Sequence, residues 1–154
     1  MEALTAGGRR VAPALAIAAA STIAGGLVSA ATARTPTEHA SWAAAYLVLV
    51  GGVATFGLAL GRGLLSPGRP SGRALVTELV GWVVGNALVL VGTLAERTLL
   101  VDLGGLLLVI VLALSALGVR HGRGPTGVRR AFTALVVLLL VSIPVGLVLA
   151  RLRP

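Results

Sequence analysis

The chain contains no cysteine and no lysine, and aromatic residues make up 3% of its 154 positions. Without cysteine, disulfides, thiol redox chemistry, thiolate metal sites and iron–sulfur clusters are excluded. Without lysine there is no amine for a Schiff base to retinal or pyridoxal phosphate, and a phosphate-binding loop lacks its cation. Charge is scarce too, at 12% of residues against about 25% in an average soluble domain.

What the chain has instead is apolar sequence, 56% of the total, gathered into five runs over 11–33, 41–61, 74–95, 99–119 and 131–150. Each run is 20 to 23 residues long, and at about 1.5 Å per residue such a helix crosses a hydrocarbon layer of about 30 Å. Membrane strands would show alternation over about ten residues rather than unbroken apolar runs, and in lipid the backbone must pair within its own segment. The expected fold is all-α: a polytopic membrane helical bundle of five transmembrane helices, forming one integral membrane domain over 1–154.

The formal charge of +8 comes from thirteen basic residues, all arginine. They fall in short segments between the apolar runs rather than along one face, which argues against nucleic acid and makes the lipid bilayer the expected partner. With the N-terminus cytoplasmic, nine arginines lie inside, at 9, 10, 62, 69, 73, 120, 123, 129 and 130, and four outside, at 34, 97, 151 and 153. That imbalance predicts an N-in, multi-pass protein of the plasma membrane. The wealth of alanine, glycine and arginine points to a bacterial inner membrane. The outer Arg151 and Arg153 run against the rule, and Pro144 with Gly146 offers a kink by which the last segment would re-enter instead of crossing.

Arg9-Arg10 followed by an apolar run ending in Ala31-Thr32-Ala33 has the outline of a signal peptide. A signal's apolar region is typically about 7–15 residues, and this run is longer, so the first span is expected to be retained. Thr35-Pro36-Thr37-Glu38 predicts a helix start, with Thr35 as cap and Pro36 as the first helical residue. Glu96-Arg97-Thr98 is short enough to force an antiparallel pairing of the third and fourth spans. Small residues four apart, Gly57/Gly61, Gly81/Gly85 and Ser21/Gly25/Ser29, predict close helix contacts, within the bundle or in a homo-oligomer.

The third span holds the main candidate site. At about 100° per residue, Glu78, Gly81, Trp82, Gly85, Asn86, Gly92 and Thr93 share one face, opposite Val80, Val83, Val84, Leu90 and Val91. An ionisable residue inside a span costs about 2.5–3.5 kcal/mol and marks a functional position by default. Glu78, Trp82 and Asn86 would line a ligand or ion path; the bland alternative pairs Glu78 with Arg73 at a helix start. Asp102 is expected in a boundary ion pair with Arg97. A second candidate is an outer-face aromatic notch of His39, Trp42 and Tyr46, at i, i+3 and i+7. It would suit a quinone or lipid headgroup, although aromatics favour the membrane interface in any case. His121 is the other histidine, about 30 Å away across the bilayer, which disfavours an intramolecular bis-histidine haem. Serines such as Ser21, Ser29 and Ser115 are expected to bond their own preceding carbonyls, and no hydrolase arrangement is present.

Three functions follow. The first is a non-enzymatic oligomeric or accessory subunit of a membrane complex. The second is a small-solute or proton carrier or channel using the third span, and the third a quinone- or haem-associated redox component. No metal or cofactor is predicted, and no catalytic residue.

Overall fold

The structure is a computed structural model that describes residues 2–66, 72–120, 122 and 124–152. The described residues are helical and contain no strand. In order they form α1 (Glu2–Ala31), α2 (Glu38–Tyr46), a π-helical segment (Leu47–Ala54), α3 (Thr55–Leu65), α4 (Gly72–Leu94), α5 (Thr98–Val119) and α6 (Thr126–Leu152). Five helices are long and apolar enough to cross a membrane, with α2, the π segment and α3 serving as one continuous span. By contact the chain divides into two compact units, Met1–Gly63 and Leu64–Pro154.

In the first unit α1 lies antiparallel to the second span, and small residues hold the two backbones close. A methyl group added to Gly25 would lie 2.8 Å from the Ala44 carbonyl oxygen, and one added to Gly51 would lie 2.8 Å from Ser21 Cβ. Gly52 faces Thr22, and further along Gly63 faces Val11. Ser21 and Gly25 therefore serve packing inside the unit. Helix α1 ends at Ala31, where the Thr32 hydroxyl bonds the Val28 carbonyl at 2.8 Å.

The second span starts at Glu38 and not at the expected capping residue. Thr37 is the cap: its backbone is extended and its Oγ1 accepts the Ala40 N–H at 3.2 Å. Pro36 then precedes the cap, where its missing N–H and fixed φ close the entry loop, and Thr35 belongs to the turn. The π-helical stretch, with backbone bonds reaching five residues back, covers the Gly51-Gly52 pair. At its end the Thr55 hydroxyl repeats that spacing by bonding the Val50 carbonyl at 3.2 Å. Such wider turns are rare in globular proteins.

In the second unit, α4 and α5 form the expected antiparallel hairpin. Its turn is a Schellman motif, with Arg97 N–H bonded to Gly92 O at 2.7 Å, Glu96 N–H to Thr93 O at 3.4 Å, and Glu96 left-handed at φ 54°. Helix α6 packs on α5 and buries Phe132, Val136 and Leu139, one stripe at helical spacing. It continues through Pro144 to Leu152 without a break. Leu112 of α5 is fully buried, whereas Ile23, Leu27, Val76, Leu106 and Leu138 are exposed large apolar residues.

Candidate functional site

The predicted polar face of α4 is its packed face. Trp82, Gly85 and Gly92 are buried and Glu78, Gly81, Asn86 and Thr93 half-buried, while Val80, Val83, Val84 and Val91 point outward. Helical periodicity explains the division, and the glycines explain how closely α5 can follow it. A methyl at Gly81 would come within 2.8 Å of Val111 Cγ2, one at Gly85 within 2.8 Å of Leu108 Cδ2, and one at Gly92 within 2.8 Å of Val101 N. Position numbers fall on α5 as they rise on α4, so the register is antiparallel throughout.

One turn from the Gly81–Val111 contact, that register sets Glu78 against Ser115. The Ser115 hydroxyl donates to Glu78 Oε2 at 3.2 Å, and Ser115 is only 4% exposed. Ser115 thus spends its proton across the helix pair and not on its own helix as expected, because Glu78 offers a carboxyl oxygen within reach. A hydrogen bond between helices in a membrane contributes about 0.6 kcal/mol on average, a fraction of the about 2.5–3.5 kcal/mol that a buried carboxylate costs there. Asn86 behaves differently. Its Nδ2 donates to the Trp82 carbonyl of the same helix at 2.8 Å. Trp82, 4% exposed, fills space between the two polar positions. Asp102 stands half-buried near the start of α5, five residues into the helix.

At the start of the second span Trp42 and Tyr46 stack, with ring centroids 5.1 Å apart and planes at 27°. His39, on the first turn of α2, is exposed, while the two rings are half-buried. His121 lies outside the described residues. Among the described residues no three acidic or histidine side chains gather as a metal-binding group.

Of the two candidate sites, the first has Glu78 bonded to Ser115 and Asn86 bonded to the Trp82 carbonyl. The second keeps its aromatic pair. No protein family, curated protein or solved structure matches the chain.

Proposed function

We propose that this is a multi-pass protein of the bacterial inner membrane, N-terminus cytoplasmic, acting as a non-enzymatic oligomeric or accessory component of a membrane complex. One observation carries the proposal. The polar face of α4 is its packed face: Glu78 is bonded to Ser115 of α5, Trp82 is buried and Asn86 is bonded within its own helix. That is the economy of a scaffold, in which polar groups fix a helix pair. The exposed Val76, Leu106 and Leu138 suit lipid or neighbouring subunits better than water. The nine-to-four arginine imbalance supports the orientation. The test is gentle extraction from native membranes with chemical cross-linking and mass spectrometry. A stoichiometric partner or a discrete oligomer is expected, and a strictly monomeric, partner-free protein would sink the proposal.

The Glu78–Ser115 bond favours one other function, a proton or small-cation carrier that uses the carboxylate. In proteoliposomes Glu78→Gln would then abolish a flux present in the parent while leaving helix content unchanged. A parent protein without flux removes that alternative.

A further inference from the structure

The end of the second unit at which α4 begins is strongly cationic. The register that sets Glu78 against Ser115 and Gly81 against Val111, continued toward the start of α4, brings Arg73 level with Arg120. Helix α6 starts a short loop later, at Thr126, and packs on α5, so Arg129 and Arg130 belong to the same end. All four arginines are exposed. The acidic residues of this unit are Glu78, Glu96 and Asp102. Glu96 and Asp102 lie at the far end of the hairpin, and Glu78 is engaged by Ser115 within it.

The helices themselves add to the imbalance. Neither α4 nor α6 has an acidic residue in its first turn. Arg73, Arg129 and Arg130 stand instead near the positive ends of the two helix dipoles, where a cation is disfavoured. An anion supplied from outside would relieve both the arginines and the helix ends. Apolar residues stand at helical spacing from two of the arginines: Val76 and Val80, three and seven residues after Arg73, and Leu117, three before Arg120, are 60%, 55% and 58% exposed. A ligand that is anionic at one end and apolar along its length matches that surface.

We infer that this end of α4, α5 and α6 binds the phosphodiester headgroup of an anionic phospholipid. Arg73 and Arg120, level with one another, take the phosphate, Arg129 and Arg130 add positive charge at the same end, and the acyl chains run along Val76, Val80 and Leu117. Guanidinium forks are suited to paired phosphate oxygens. The inference rests on reading the helices as membrane spans.

To test it, the full chain is purified in mild detergent, stripped of lipid and titrated with phosphatidylglycerol, phosphatidylcholine or inorganic phosphate. Bound lipid is read by native mass spectrometry. Phosphatidylglycerol is expected to bind at least about tenfold tighter than phosphatidylcholine, with inorganic phosphate failing to compete at equal concentration. The double variant Arg129→Gln/Arg130→Gln is expected to weaken phosphatidylglycerol binding about 30-fold, for two arginines near a charged lipid surface. Arg34→Gln, in the first unit, leaves it unchanged. Both altered positions are exposed, and circular dichroism checks the fold. Equal binding of the two lipids, parent-strength binding by the double variant, or competition by phosphate alone overturns the inference. Carbonate extraction of cell membranes separates the two levels. A protein retained in the pellet without lipid preference loses only the headgroup site, and one released to the supernatant loses the membrane reading as well.

Discussion

Gly104 and Gly146 are the same residue in neighbouring helices, with opposite tolerance for a methyl group. At Gly104 an added Cβ would lie 2.7 Å from the Gly85 carbonyl oxygen, a backbone atom that cannot turn aside, whereas at Gly146 nothing lies within 4 Å. Gly104→Ala is therefore expected to destabilise the protein by about 1–3 kcal/mol, the usual cost of overpacking. Gly146→Ala is expected to be neutral or to stabilise by up to about 1 kcal/mol through helix propensity. Unfolding in mixed micelles, followed by circular dichroism, ranks the two, and equal effects would refute the close approach of α4 and α5. Glu96 gives a second case, because a left-handed backbone at φ 54° strains a side chain that has a Cβ. Glu96→Gly removes the strain at the expense of a more flexible unfolded chain, for a net gain of about 0.5–1 kcal/mol in the same assay.

Between elements, Glu78 and Ser115 supply the polar link that the hairpin adds to its glycine contacts. A double-mutant cycle with Glu78→Gln and Ser115→Ala is expected to return a coupling of about 0.5–1.5 kcal/mol, and a coupling near zero would mean that the bond carries no stability. The partnership was open to inference from the sequence. A three-residue link centred near Glu96 folds position 78 back close to position 115, but Ser115 in isolation looks like any serine in an apolar helix. The polar face of α4 was legible because a 3.6-residue period survives in the sequence whatever packs against it. The π-helical stretch was not, since Gly51-Gly52 permits it without demanding it. It lies where α1 approaches through Ser21 and Thr22, a contact between helices that no single run of sequence displays. The cap lies at Thr37 and not at Thr35: both are threonines with a suitable side chain, and it is the Thr37 Oγ1 that accepts the Ala40 N–H.

For the whole molecule, five long apolar runs sufficed to foretell five candidate spans, because a membrane-length helix is written in composition alone. The division of the chain into two compact units was not foretold, since contact between helices depends on faces and not on run length. The absence of cysteine makes orientation directly measurable. Thr35→Cys and Gly127→Cys place single thiols at exposed positions, the first in the loop before α2 and the second in the first turn of α6, expected on opposite sides of the membrane, and Gly127 has room for a side chain. With the N-terminus inside, a membrane-impermeant maleimide applied to spheroplasts is expected to label Thr35→Cys and to reach Gly127→Cys only after lysis. The reverse pattern would invert the topology.

The α4–α5 hairpin also has a consequence in time. Its partners are adjacent in sequence and joined by a tight turn, so pairing waits for no later segment and needs little loop closure. During synthesis the two helices can pair as soon as Val119 has left the ribosome, before α6 is complete. A lesion at Gly85 or Gly104 would then surface as a nascent chain stalled early in assembly. A lesion on the Phe132–Val136–Leu139 stripe would leave that step intact and show itself only in the finished protein.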